Sequence, residues 1–279
     1  MAIITGFIRK IRGSAGDFTF SKSQGRTIVS EKITSTTDRK TRGQQRTRTK
    51  FVNILHNYSG LKPLLRSAFE NKAPGVNDYN MFVRLNMQQQ PVYLTKQLVE
   101  CGACVAAPYS ISQGTLPAIV VTTDGTNDVT NIAVGSLTIN EQTTVAQFAN
   151  AVVENNVSYN HDDQITFCHV EQRINPSTGI PYCIFTSHKV VLDKTNKSSL
   201  LAQVPAEAFT IIDGFIGHAE VSCDCAYTWA HSRFNERDVK ISQTLPCHNS
   251  LLAQYTSENA YREAANSYGG EKKVFLSPE

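Results

Sequence analysis

His161, Asp162 and Asp163, adjacent in "YNHDDQITF", form the one local cluster in the 279-residue chain that could act as acid and base or bind a cation. An imidazole that titrates near neutrality beside two carboxylates is what general acid-base chemistry or a divalent metal requires. The setting points elsewhere. Polar residues packed between "SYN" and the strand-like "QITF" are the material of a turn, so all three are expected to be turn residues facing water. His231 and Arg233, alternating at the end of "CAYTWAHSR", are expected to be the outward polar end of a core strand. The chain contains no G-x-S-x-G, no G-x-x-x-x-G-K-[ST], no H-E-x-x-H and no G-x-G-x-x-G after a strand. It therefore offers no nucleophile elbow, phosphate cradle or metalloprotease helix, and the expectation is a protein that is not an enzyme and uses no cofactor.

Seven cysteines (Cys101, Cys104, Cys168, Cys183, Cys223, Cys225 and Cys247) are an odd number spread over a long chain, which is a poor disulfide framework. Cys101-x-x-Cys104 and Cys223-x-Cys225 supply four thiols, so a zinc site is arithmetically open. A zinc knuckle sets each pair on a tight turn, whereas "CDCAYTW" alternates as a strand does, with Cys223 and Cys225 on one face. Reduced thiols buried as small hydrophobes, with no metal, are the expectation.

The elements around these residues follow from periodicity. Short strands flank the glycine and serine rich "GSAGDFTFSKSQG". From Thr41 the period becomes helical: Phe51, Leu55 and Tyr58 define one apolar stripe, and Leu61, Leu64, Leu65 and Ala68 a second, separated by "YSG". "NDYNMFVRLN" reads as a helix capped by Asn77. Beyond Pro108, "LPAIVVT", "NIAVGSLTI", "QITFCHVEQRI", "PYCIFTSHKVVL", "CAYTWAHSR" and "DVKISQTL" have strand length and β-branched or aromatic content, with "NPSTG" and "FNERD" as hairpin turns. One helix interrupts them, "TTVAQFANAVVENN", capped by Thr143 or Thr144, with Val145, Phe148, Ala149 and Val152 on one face. "SENAYREAANSYGG" reads as a capped helix stopped by glycine. The fold class is α+β: a helical N-terminal segment with an extended basic arm (1–108), a mainly antiparallel β body with one inserted helix (109–256), and a C-terminal helix and tail (257–279).

Charge is the strongest remaining signal. Residues 1–50 hold twelve Lys or Arg against Asp17, Glu31 and Asp38, a net of +9, while the whole chain is only +3; the remainder is therefore −6. Six of the basic residues (Arg39, Lys40, Arg42, Arg46, Arg48 and Lys50) fall just before Phe51. A phosphate-binding arm is one reading of such a segment. Residues 34–50 contain no aromatic side chain, so a platform for stacked bases is not indicated. The net-negative remainder offers a second reading, in which these six residues and Phe51 bind another copy of the same chain. With no run of eighteen apolar residues and no secretory pattern at "MAIITGFIRKIRG", neither a membrane nor export is expected. A small-molecule substrate is not expected either.

Several phrases resemble a protein family widespread in Bacteroidetes and their phages. They are "GFIRKIRGSAGDFTFSKSQGRTIVSEK" and "RGQQRTRTKFVNILHNYSGLKPLLRSAFENKAPGVNDYNMFVRLN", matched at Gly6, Gly13, Gly16, Gln44, Gln45, Arg46, Phe51, Leu61, Phe69, Asn80, Phe82 and Asn86. "YSISQGTLP" (109–117) and "VKISQTL" (239–245) are similar to further phrases of that family. Similar sequences occur among the virion genes of crAss-like phages, short-tailed viruses built of stacked rings. The resemblance implies a virion structural protein, a ring or connector subunit of the tail barrel or neck. It would be made in the bacterial cytoplasm, with other copies of itself and neighbouring virion proteins as partners; DNA is the alternative partner.

Overall fold

A computed structural model describes residues 2–4, 12–23, 26–35, 40–63, 68–70, 72–89, 91–219, 224–234, 239–241 and 247–269. The chain begins with four strands, β1 (Ala2–Ile4), β2 (Gly13–Ala15), β3 (Phe18–Ser23) and β4 (Arg26–Glu31). They make an antiparallel sheet in the order β1-β4-β3-β2. Ala15 pairs with Phe18, so Gly16 and Asp17 close the β2–β3 hairpin alone, and the left-handed backbone of Gly16 (φ +57°) is why glycine stands there.

Helix α1 (Arg42–Leu61) starts at a capping box in which the Thr41 hydroxyl accepts from the Gln44 N–H while the Gln44 side chain accepts from the Thr41 N–H. It runs unbroken through Tyr58-Ser59-Gly60, where sequence periodicity placed a break. The second helix expected over 61–68 does not reach its predicted end. Residues 64–67 lie outside the described part, and Ala68 and Phe69 are extended, because Glu70 N–H donates to Gln113 and Gln113 N–H to Ala68 in a parallel bridge. Asn77 caps α2 (Asp78–Asn86) and Thr95 caps the short α3 (Lys96–Glu100).

The β body holds β5 (Val121–Thr123), β6 (Asp128–Ala133), β7 (Gln164–Ile174), β8 (Pro181–Val191), β9 (Thr210–Ile212), β10 (Phe215–His218), β11 (Cys225–Phe234), β12 (Val239–Ile241) and β13 (Cys247–His248). Helix α4 (Val145–Asn155) is inserted after β6, with Thr144 as its cap; α5 (Leu252–Thr256) and α6 (Glu258–Ser267) close the described chain. Strands β7 and β8 keep the boundaries their sequence pattern predicts. β6 is shorter than "NIAVGSLTI" suggests, because Gly135 turns with positive φ right after it. The "FNERD" turn from Asn235 on, and Cys223, lie outside the described residues. The fold is α+β, with three antiparallel sheets and six helices described.

Two sheets make up the body. β5-β6-β10-β9 covers one side, and β12-β11-β7-β8, with β13 added to β11, runs through the middle. The two inner strands of this middle sheet, β7 and β11, are buried on both faces. Ile165 and Phe167 of β7 with Tyr227 and Trp229 of β11 face one apolar cluster, shared with α4 (Val145, Phe148, Ala149, Val152) and with Ile132 and Ile216 of the outer sheet. Cys168, Val170 and Ala230, on the opposite face, join a second cluster with Ile54 and Leu61 of α1, Phe82 of α2 and the segment from Ala103 to Ile111. A strand buried on both faces loses the apolar/polar alternation of a half-exposed one, which is why β7 reads as a near-continuous apolar run. Each fully buried Leu, Ile, Val or Phe contributes about 1.5–3 kcal/mol, so these two layers hold the body together.

Candidate functional site

The His161 cluster does not stay together. Asp162 is exposed at a left-handed position (φ +70°), and His161 makes no hydrogen bond to the Asp163 carboxylate. Asp163 is 2% exposed, and so is not the solvated turn residue its sequence neighbours suggest. Its carboxylate receives the His231 Nε2 at 2.7 Å, Arg233 Nε at 2.8 Å, Arg233 Nη2 at 2.8 Å and the Asn160 N–H at 2.8 Å. His231, 1% exposed, is likewise not an outward strand end; its ring stacks on Tyr159 with centroids 4.0 Å apart. The sequence reading missed this because β11 carries both partners into a turn 68 residues earlier.

Burial alone would raise the Asp163 carboxyl. The donors from Arg233 and His231, with Asn160, overcome it and hold the group down to about 2. An ionised carboxylate accepts only, so His231 must carry its proton on Nε2 toward Asp163. With four N–H donors on two oxygens and little solvent access, Asp163 is a clamp. It fixes the 158–163 turn to β11, a task completed by the Arg233 Nη2 bond to the Ser158 carbonyl (2.9 Å). A second pair repeats the device: Asp128, fully buried, receives His248 Nε2 at 2.8 Å and the Thr123 hydroxyl.

The basic segment divides into roles. Lys50 Nζ donates to the Met87 carbonyl at the end of α2 (2.9 Å), and burial followed by the neighbouring Arg46 charge lowers its pKa. Lys40 lays its ammonium beside Gly269, just past α6. Both cations thus sit at helix C-termini, where unpaired carbonyls favour positive charge. Arg46 is exposed yet hydrogen-bonds the Tyr93 hydroxyl, which burial raises and Arg46 draws back down. Arg48 is exposed on the outer side of α1, and Phe51 is half-buried. Arg39 and the Arg42 side chain lie outside the described part.

The buried face of α1 is not the stripe of Phe51, Leu55 and Tyr58. It is Gln45, Thr49, Asn53, Ile54, Asn57 and Leu61. The cause lies in residues 103–112, which run through the core without belonging to a helix or strand, so their backbone groups need partners. Asn53 supplies them to Val105 in both directions, donating to its carbonyl at 3.0 Å and accepting its N–H at 2.9 Å. Asn86 does the same for Ser110, at 3.0 and 2.7 Å. Gln172 on β7 accepts the Ala106 N–H at 2.8 Å, and Asn249 donates to the Ala106 carbonyl at 2.8 Å.

A cavity of about 370 Å³ opens on the other face of β7 and β8, lined by His169, His188, His218, Phe167, Ile184 and Pro205 among others. His169 stacks on Tyr227 (4.5 Å), and burial, then the nearby His218, lowers its pKa. Among the described residues no group of three or more His, Cys, Asp or Glu is placed to hold a metal ion. Cys104, Cys168 and Cys225 are buried, and burial pushes the Cys168 thiol up to about 12. Among the described residues no helix is long and apolar enough to cross a membrane.

The N-terminal sheet is set apart from all of this. Among the described side chains of β2–β4 none belongs to a buried apolar cluster; Phe18 on β3 is 54% exposed, and Thr27 on β4 is buried. The strand register puts Phe20 opposite Val29 and Phe18 opposite Glu31 on the same side of the sheet. No protein-family model matches this chain, and neither the curated proteins nor the solved structures contain a match to it.

Proposed function

We propose that this chain is a structural subunit of a bacteriophage virion, a ring or connector protein of the tail barrel or neck that works through contacts between copies. The observation that carries the reading is the N-terminal sheet: Phe18 is 54% exposed on it, and none of the described side chains of β2–β4 belongs to a buried apolar cluster. A small sheet with a large apolar side chain left exposed is stabilised by a surface supplied from elsewhere. It belongs to the +9 segment of a chain whose remainder is −6, so a neighbouring copy presents the complementary charge. The sequence resemblance to virion proteins supplies the context, and the clamped, solvent-poor character of the Asp163 site fits a scaffold.

The test is the mass and shape of the full-length protein in solution. Wild type should form closed multimers visible by negative-stain microscopy, and Phe18→Asp should reduce them to species of one or two chains with the body's unfolding transition unchanged. Wild-type protein that never assembles, or a Phe18→Asp variant that assembles as wild type does, would overturn the proposal.

A further inference from the structure

Strand β8 is eleven residues long and, among the described residues, lies at the edge of the middle sheet, paired with β7 on one side. In an antiparallel strand the backbone groups of successive residues point alternately to the two sides. The Pro181 carbonyl points away from β7, since it accepts the Cys104 N–H at 2.9 Å, while Leu192 exchanges bonds with the 162–163 turn on the β7 side. The odd-numbered residues therefore turn their N–H and C=O outward. Near Pro181 that edge is closed by Cys104, whose carbonyl also receives the Cys183 thiol at 3.4 Å. From Phe185 to Lys189 no described residue outside β7 takes these backbone groups, while at Val191 the carbonyl accepts the Asp193 N–H at 2.8 Å and the N–H has no described partner; Ser187, Lys189 and Val191 are exposed, Val191 by 44%.

We infer that this open edge pairs antiparallel with the same edge of a second copy, about a two-fold axis at His188. The open stretch is self-complementary in that register. Phe185 falls opposite the partner copy's Val191, an apolar pair at each end, and Ser187 falls opposite the partner copy's Lys189. The one permanent charge on the edge thus never meets its like. Shifting the axis by one residue toward Val191 would set Lys189 against itself, and shifting it toward Pro181 would run the partner strand into the closed end at Cys183. A long open edge is otherwise a liability that chains cover or blunt, and this pairing closes it and joins two middle sheets into one continuous sheet. The contact is isologous and independent of the N-terminal sheet, so the two interfaces together would build a dihedral assembly rather than a single ring.

The test uses full-length protein carrying Phe18→Asp, which removes the other interface from view. Sedimentation should give a species of two chains, and adding Ser187→Pro should weaken dimerisation at least tenfold. The Ser187 N–H points outward and is not used by β7, so proline there blocks a partner strand without breaking the hairpin. An unchanged unfolding midpoint will show that the body is intact. As a second readout, His188→Cys in a Cys101→Ser background should form a disulfide-linked dimer on mild oxidation, because facing residues at a non-hydrogen-bonded position have Cα atoms about 4.5 Å apart. Thr186→Cys in the same background should not. A monomeric Phe18→Asp protein, a dimer indifferent to Ser187→Pro, or equal linking at positions 186 and 188 would each overturn the inference. Wild-type multimers that survive alongside any of these results leave the virion-subunit reading standing, and a β8 dimer without larger wild-type assemblies does the reverse.

Discussion

Asp163 and His231 meet at 2.7 Å with neither side chain more than 2% exposed, and Arg233 grips the same carboxylate from the solvent side. Removing the charge leaves the buried His231 and the partly exposed Arg233 without their ionised acceptor. Asp163→Asn should cost about 3–5 kcal/mol of unfolding free energy, read from urea denaturation. A loss under about 1 kcal/mol would mean the clamp carries little of the fold.

The same carboxyl gives a pH signature. Its folded pKa, about 2, lies below the ordinary 3.8, so the stabilisation is complete above about pH 4 and lost as pH falls toward 2. That difference corresponds to about 2–3 kcal/mol at neutral pH. Wild-type stability should fall across this window, and Asp163→Asn should fall less. Parallel curves for the two proteins would assign the acid sensitivity to other groups.

Asn53 holds Val105 by both its donor and its acceptor, and also donates to the Tyr109 hydroxyl at 3.0 Å. Asn53→Leu keeps the size and adds apolar surface, yet leaves the Val105 N–H without its partner in the core and its C=O with the Asn57 Nδ2 bond alone (3.2 Å). The variant should lose about 2–4 kcal/mol, and amide exchange at Val105 should accelerate toward the global unfolding limit. An Asn53→Leu protein as stable as wild type would show that residues 103–112 do not depend on the asparagine.

Gly60 lies inside α1, where alanine would ordinarily stabilise a helix by about 1 kcal/mol. Here the added methyl would enter the Phe185 ring, so Gly60→Ala should destabilise by about 1–3 kcal/mol. Combining it with Phe185→Leu should recover part of the loss, a coupling that thermal unfolding of the four proteins would read. Simple additivity would place the two residues out of contact.

Where local chemistry decides, the sequence was readable. Thr144 before α4, Asn77 before α2 and Ser257 before α6 are caps that the chain announces, and β7 and β8 carry length and composition that only strands satisfy. The apolar stripe of α1 misled because periodicity assigns polar residues to water, whereas Asn53 and Asn57 face inward to satisfy a threaded backbone. Nothing near Asp163 in sequence signals that His231 will reach it; that meeting exists only once β11 is laid beside β7. The basic segment was visible as charge, but not that Lys40 and Lys50 would sit at helix C-termini of their own chain.

The claim that the N-terminal segment serves copies of this chain rather than nucleic acid is tested most directly by one paired titration. Wild-type protein is followed from about 50 to about 500 mM salt, with its mass read by sedimentation and its affinity for a duplex DNA read by anisotropy. Multimers are expected across the range, held by apolar contact through Phe18 and only loosened by salt, with weak DNA binding. Tight DNA binding with a steep salt slope, by a protein that stays monomeric, would contradict the claim.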